Sequence, residues 1–456
     1  MRFSVEEVAL FERDVRLRLP FRFGSATLTE APQAFVRARI RLEGGQEAHG
    51  GAAELVAPKW FDKDPSLSNE QNFAQLRASL RLAREAYLAS GSHTAFGHSS
   101  EVYAPQIAAA AARGLNSLVA CYGPALIDRA LLDALCRALH ISFYKAIAAN
   151  VAGFAPDMQG FLAGLEPGAA IAARHTVGLV DPITAEEKRV SDGLPETLEE
   201  VVDRYGQRWF KLKVCGDVRA DIARLSAIAA VLDARIPDPY RATLDGNEQF
   251  ADADEVIRLW RTIEEEPRLR RLASSIVFIE QPIQRSRALA GDISALARHR
   301  PVIIDESDDT LDAFPRARRL GYSGVSSKTC KGIYKSLLNA ARCRAWNAEE
   351  GSNRYFMSGE DLTVQAGLAL QQDLALVSLL GISHVERNGH HYVNGMAGLP
   401  AAEQASFLES HPDLYERSHG AVRVRIVGGM LAIQSLDTPA YASRVLPDWN
   451  AMRKVD

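Results

Sequence analysis

From about residue 170 onward, short apolar runs alternate with longer stretches whose apolar residues recur every three or four positions. The runs fall at 175–179, 209–214, 242–245, 276–280, 302–305, 324–328, 355–358 and 382–386. Apolar runs this short, without polar alternation, predict parallel strands buried on both faces. Between them, 217–232, 252–263, 311–320 and 331–345 show helical spacing. Eight strand–helix units predict a closed barrel. An open dinucleotide-binding sheet would instead need GxGxxG after its first strand, and the chain has none there.

The flanks read differently. Residues 2–20 and 34–42 alternate as antiparallel strands, and the second runs into Gly44-Gly45, a hairpin signal. Residues 69–90 and 105–120 have helical spacing, Gly123-Pro124 reads as a break, and a helix over 125–139 follows. Beyond residue 400 the repeating unit lapses, and 421–427 reads as a strand returning to the first sheet. The expected fold class is α/β: a (β/α) barrel, TIM-like but modified, with an N-terminal α+β capping domain completed by the C-terminal segment. The boundaries expected are 1–122 for the cap, 123–404 for the barrel and 405–456 for the returning segment.

Bulk composition narrows the setting. The 456 residues are 47% apolar and 24% charged with a net charge of −4, so a basic nucleic-acid footprint is not expected. No uncharged stretch approaches the roughly 18 residues of a membrane span. Five cysteines, an odd number without CxxC spacing, read as free thiols in a reducing compartment. Charges at Glu6, Glu7, Glu12, Arg13 and Asp14 speak against a signal peptide, so a cytoplasmic protein is expected.

The chemistry gathers at strand ends. Asp245, Glu280 and Asp305 each close an apolar run, 35 and 25 residues apart, room enough for a helix and a return to the next parallel strand. In a barrel, catalytic groups sit at these C-terminal ends. Three carboxylates on successive strands would suit a hard divalent cation such as Mg²⁺. An Asp there can also be a simple turn former, but an ionised Glu280 after Ile-Val-Phe-Ile is costly to bury without a cation or donor. Lys211 and Lys213 alternate with Phe210, Leu212 and Val214, so both lysines are expected to point into the barrel. Lys328 ends the sixth strand, opposite the second. A lysine beside a divalent cation and a second ammonium has its pKa lowered, which makes it a usable base. Asn247, Glu306, Glu360, Asp361 and Glu386, with His384 and Asn388, fall near other strand ends and are candidates for substrate binding or support; helix capping or a solvated loop would place them equally well. His390-His391 is expected to point apart in a loop. Glu264-Glu-Glu266 reads as a solvated helix end, and 182–200 as linker and helix surface.

Taken in order, Lys211-x-Lys213, Asp245-x-Asn247, Glu280-Gln-Pro282, Asp305-Glu-Ser307 and Lys328 resemble the enolase superfamily. The likeness is to its mandelate racemase/muconate lactonizing enzyme family, in particular the muconate-lactonizing-enzyme-like branch. Residues 125–134 are similar to the helix that opens that family's barrel domain. Phe21-Arg-Phe-Gly24, Thr27-Leu-Thr29 and Gly50-Gly-Ala-Ala-Glu54 are similar to its capping domain. The resemblance implies Mg²⁺ (or Mn²⁺) held by Asp245, Glu280 and Asp305. It also implies Lys213 and Lys328 as acid and base, with Lys211 stabilising an enolate. The departures are Ser326-Ser-Lys328 with only Gly332 following, a Lys328 spacing about one residue short, no histidine in 356–362, and extra residues near 59–70, 182–200 and 264–274. The expected activity is proton abstraction α to a carboxylate in a racemase, epimerase or cycloisomerase. Elimination by an acid-sugar dehydratase or a succinylbenzoate-synthase-like lyase is an alternative, and a non-catalytic metal-binding scaffold is another. The expected partner is a small-molecule carboxylate, and the expected assembly a homo-oligomer.

Overall fold

The computed structural model describes residues 1–24, 26–187 and 190–455, so residues 188 and 189 of the charged stretch 182–200 lie outside it. Eight strands form the barrel: Ala170–Val177, Trp209–Lys213, Arg241–Asp245, Ile276–Glu280, Val302–Ile304, Gly324–Ser327, Phe356–Gly359 and His384–Arg387. Each pairs in parallel with the next, and the eighth pairs with the first to close the ring. Every run singled out by its apolar content overlaps one of these strands, the first of which begins at Ala170 and not at 175. The helices Val218–Arg235 and Ala253–Glu265 start where Asp217 and Asp252 accept hydrogen bonds from the first turn. Phe210, Leu212 and Leu244 pack outward on Leu225, Ile228 and Trp260, which leaves the alternate, polar positions to the barrel interior.

The cap is an antiparallel sheet in which Phe3–Phe23 pairs with Ala26–Leu42, and that strand pairs with Glu47–Leu55 around Gly45. Helices Asn69–Ala89, Ala95–Ala111 and Ser117–Leu139 accompany the sheet. Buried Arg129 joins the last of these helices to Glu54 at 3.2 Å, and Glu54 in turn accepts from Thr329 just past the sixth barrel strand. The cap and the barrel are therefore tied at the strand end that carries Lys328.

Two expectations are corrected. Gly123-Pro124 does not break the chain: one helix runs from Ser117 to Leu139, and the boundary expected at 122/123 falls inside it. Proline removes the donor to the carbonyl four residues back. That carbonyl, on Ala120, accepts instead from Ser79 Oγ and Gln106 Nε2, both at 3.1 Å. Gly123 is there for contact: a Cβ would stand 2.3 Å from the Ser79 carbonyl oxygen. Residues 421–427 do not return to the first sheet either. Ala421–Val424 folds back on Tyr415–Ser418. The two-residue loop His419-Gly420 has φ of 46° and 77°, the positive pair that favours a tight local hairpin over distant pairing. The segment that does join the cap sheet is Arg453–Val455, against Leu10–Glu12.

Gly123→Ala is expected to destabilise the chain by about 1–3 kcal/mol, because backbone of another helix blocks the new methyl. Urea unfolding measures this. An unchanged midpoint would show that the two helices can separate without cost.

Candidate active site

Register brings the charged strand ends together. Lys213 is level with Asp245, and Asp245 with Glu280, across adjacent strands. Gly246 lets the third and fourth strands stay close beyond this point, since a Cβ there would meet Pro282 Cα at 2.6 Å. Buried Lys211 places its ammonium among four carboxylates: Asp245 at 2.9 Å, Glu280 at 2.7 Å, Glu360 at 2.7 Å and Glu386 at 2.9 Å. Lys213 donates to Asp245 at 2.5 Å and Lys328 to Asp305 at 2.6 Å. Lys331, one helical turn on, donates to the Asp305 carbonyl at 3.2 Å and to Ser326 Oγ at 2.7 Å, and lies 3.0 Å from Asp308.

These pairings decide the protonation states. Burial opposes the charge on Asp245, but Lys211 and Lys213 outweigh it and hold its carboxyl below the usual range. Asp305 is likewise held low against burial, by Lys328 and Lys331. Glu280 goes the other way: burial and the neighbouring Asp245 and Glu360 charges push it well up. For Lys328, burial lowers the pKa, yet Asp305 overrides it and the net shift is upward. That is opposite to the lowered value expected from the sequence, and the cause is the direct carboxylate partner.

The other strand-end residues are all buried here. Glu360 is held by Arg174 and by Ser358, whose hydroxyl donates at 2.5 Å; Glu386 accepts from Thr176 Oγ1 at 2.7 Å and from Asn388 Nδ2 at 3.0 Å. Asp361 is pushed up to about 6 by burial and accepts backbone N–H groups of Leu362, Val364 and Asn388. Asn247 and Glu306 contact each other at 3.5 Å, and Lys63 of the 59–70 insertion reaches Glu306 at 3.2 Å. His384, by contrast, begins its strand, so it lies deeper in the barrel, stacked on Trp209 at 3.9 Å.

Phe21, Phe23, Leu28, Ala57 and Trp60 of the cap close over Lys211, Lys213, Asn247, Lys328, Asp361 and Glu386, leaving a cavity of ≈ 30 Å³. The Lys328 ammonium sits 4.2 Å from the Trp60 ring centroid. Trp60 and Arg174 were not singled out in the sequence. An isolated tryptophan in a loop and an arginine within a strand carry no spacing signal.

The family described as Enolase C-terminal domain-like matches residues 193–434. The chain belongs to it. The fold is shared with solved structures of low sequence identity. One is an enolase from Bradyrhizobium complexed with magnesium and mandelic acid (14% identity, TM-score 0.61, covering 100% of this chain and 99% of that one). Another is a mandelate racemase/muconate lactonizing protein from Herpetosiphon aurantiacus (17%, 0.61, 96% and 98%). A third is muconate lactonizing enzyme from Pseudomonas fluorescens complexed with muconolactone (17%, 0.61, 98% and 98%). No curated protein matches the chain significantly.

In this enolase-like chain, no three carboxylate or imidazole groups stand together at coordinating distance among the described residues. Lys211 instead bridges Asp245 and Glu280. The donor set nevertheless fits a hard cation: three carboxylates at adjacent strand ends, with Glu280 Oε2 buried and lacking a hydrogen-bond partner of good geometry. Excess negative charge around Glu280 is what a divalent ion would relieve.

The histidine pair is also corrected. His391, buried, and His390, half-buried, occupy the short helix Gly389–Tyr392, with ring centroids 4.9 and 5.8 Å from that of His175. Burial holds all three below their ordinary range, His390 at about 3. Unfolding would let them protonate near pH 6.5. Their contribution to stability is therefore complete above about pH 6.5 and is lost as pH falls from there towards the folded values. The urea midpoint is expected to drop between about pH 7.5 and about pH 5, and the drop to shrink in His390→Leu. An equal drop in the variant would assign the acid loss to other groups. Separately, Lys211→Met should cost about 3–5 kcal/mol by leaving carboxylates buried without their cation, measurable by the same unfolding experiment.

Proposed function

We propose that this chain abstracts the proton α to the carboxylate of a small substrate and returns it, acting as a racemase or epimerase. The observation that carries this reading is that Lys213 and Lys328, from opposite strands of the barrel, line one cavity. A lysine on each side of a carbon can serve both stereochemical faces.

Asp245, Glu280 and Asp305 would hold Mg²⁺, which supplies electrostatic stabilisation of the enolate oxygens. Lys328 takes a proton only once it is released from Asp305 and has given up its own ammonium proton, and Lys213 only once it is released from Asp245 and has done the same. Lys211 holds Asp245, Glu280, Glu360 and Glu386 in place and donates positive charge to the site. Phe21, Phe23 and Trp60 exclude water. A cavity of ≈ 30 Å³ admits little beyond water, so the cap wall formed by the side chains of Phe21, Phe23, Leu28 and Trp60 must move for a substrate to enter. The apolar cap wall favours an acid whose remaining part is apolar; the hydroxyls of an acid sugar would be buried there without partners. The free thiols among the described residues fit a reducing, cytoplasmic setting.

The test is α-proton exchange in D₂O with a panel of chiral carboxylates and Mg²⁺. Either Lys213→Ala or Lys328→Ala should lower racemisation by about 10²–10⁴-fold. Each variant should keep exchange with one enantiomer, and not the same one. Loss of exchange with the same enantiomer in both would leave one base and move elimination ahead. No exchange with any acid would support the scaffold reading.

A further inference from the structure

Two consecutive residues beyond the third barrel strand have backbone angles that glycine adopts freely and most other residues do not. Asn247 and Glu248 follow Asp245-Gly246 with φ of 41° and 69°. Asparagine tolerates this region because its short amide can bond locally, but glutamate has no such help. Strain of this kind persists only where the surroundings over-determine it, and it clusters at functional sites.

The barrel supplies part of the restraint. The Asn247 N–H donates to Asp245 Oδ1 at 2.8 Å, and the Glu248 N–H to the Gln281 carbonyl at 2.9 Å. Gln249 Nε2 reaches the Asn247 carbonyl at 3.0 Å, and the Arg285 guanidinium holds the Glu248 carboxylate at 2.8 and 2.7 Å. The cap supplies the rest through one side chain, half-buried Lys63 of the 59–70 insertion. Its ammonium has three donors and finds three acceptors. It donates to the Asn247 carbonyl at 2.8 Å and to Glu306 Oε1 at 3.2 Å, and lies 2.6 Å from Glu248 Oε2. All three acceptors surround one residue. They are the backbone of Asn247, the carboxylate of its neighbour, and the carboxylate that faces the Asn247 amide at 3.5 Å. Asn247 in turn lines the strand-end cavity with Lys211, Lys213 and Lys328.

We propose that Lys63 is a positioning residue for the strand-end site: an ammonium delivered by the cap that holds the Asn247–Glu248 turn left-handed and so keeps the Asn247 side chain on the cavity wall. The cap then does more than cover the barrel mouth, because it completes the loop after the third strand. Without Lys63 that loop keeps its contacts to Asp245, Gln281 and Arg285, but Glu306 loses its ion-pair partner and the Asn247 carbonyl its charged donor. The consequence for catalysis rests on the proton-abstraction reading; the local order of the turn does not.

The test is hydrogen exchange of the full chain by mass spectrometry, with Lys63→Met and Lys63→Arg beside the parent. All five N–H groups of 246–250 are hydrogen-bonded, so they report opening of the turn. Lys63→Met is expected to speed their exchange by about tenfold, the scale of one charge-assisted hydrogen bond, while the sixth strand Gly324–Ser327 exchanges as before. Lys63→Arg keeps the charge, has room in the adjoining open cleft, and should restore slow exchange. Lys63→Met also leaves Glu306 buried without its cation, so Lys63→Met with Glu306→Gln serves as the second variant, and the same fast exchange is expected. In D₂O, Lys63→Met should slow α-proton exchange of an acid that the parent accepts, and Lys63→Arg should recover it. Unchanged exchange at 246–250 in Lys63→Met overturns the proposal. So does fast exchange that vanishes with Glu306→Gln, that spreads equally to 324–327, or that Lys63→Arg fails to reverse. An α-proton exchange rate that Lys63→Met leaves unchanged overturns the positioning role as well. Fast local exchange in a chain whose parent exchanges no acid supports the hold on the turn and counts against the proton-abstraction reading alone.

Discussion

A buried ammonium among four carboxylates is the constraint on which the barrel mouth depends. Lys211 is 1% exposed, and each of its partners comes from a different strand: the third, fourth, seventh and eighth. Charges taken this far from water are stable only as a satisfied set. Removing any member leaves another buried and unpaired, so the network couples the strand ends on both sides of the ring. The same network keeps Glu280 from full satisfaction: its carboxyl is pushed up by burial and by two neighbouring carboxylates even with Lys211 present. The stability of the strand ends and the protonation of Glu280 are thus set by one group of contacts.

The cap is held to this cluster at several points, each from a different part of the chain. Glu54 reaches Thr329 beside Lys328, Lys63 reaches Glu248 and Glu306, and Trp60 covers the Lys328 ammonium. The final strand, Arg453–Val455, adds to the outer edge of the cap sheet and brings Arg453 to Glu12 at 2.7 Å. Phe21 and Phe23 lie far from the end of the long strand pair that is anchored in the sheet, so the wall that these two side chains form can shift while the base stays paired. A register shift between Arg16 and Phe21 marks the place where the pairing changes.

The barrel was legible in the sequence because its strands are buried on both faces and so carry no competing pattern. A carboxylate closing such a run, as Glu280 does after Ile-Val-Phe-Ile, stands out for the same reason. Lys211 and Lys213 were placed inside by the alternation with Phe210 and Leu212, which are buried on the outer side. What was misread depends on tertiary partners. Pro124 looked like a helix break because nothing in its own segment shows that Ser79 and Gln106 would take up the freed carbonyl. The 421–427 run was assigned to the first sheet because alternation identifies a strand without naming its partner, and the His419-Gly420 turn favoured the nearer one. Lys328 was expected to be a depressed base, but a carboxylate within 2.6 Å reverses the direction. His390 and His391 were assigned to a loop because their partner, His175, is remote in sequence.

The two sides of the strand-end cavity differ in kind, and this bears on what the site can accept. The barrel side is charged or polar at Lys211, Lys213, Lys328, Asn247 and Asn388, and the last two carry side-chain oxygens that are buried without partners. The cap side presents Phe21, Phe23, Leu28 and Ala57, with Trp60 Nε1 as an unpartnered buried donor. A substrate that satisfies both would direct its carboxylate and a hydrogen-bond donor downward and an apolar body upward. A chain of hydroxyls facing the cap would lose its water partners and gain at most the one indole donor, at a cost of about 1–3 kcal/mol for each hydroxyl left unpaired. That penalty is added again with each further hydroxyl, whereas an apolar ring or alkyl group gains by burial on the same wall. On the proposed reading, the asymmetry of the cavity, more than the number of lysines in it, favours an acid with an apolar body over an acid sugar.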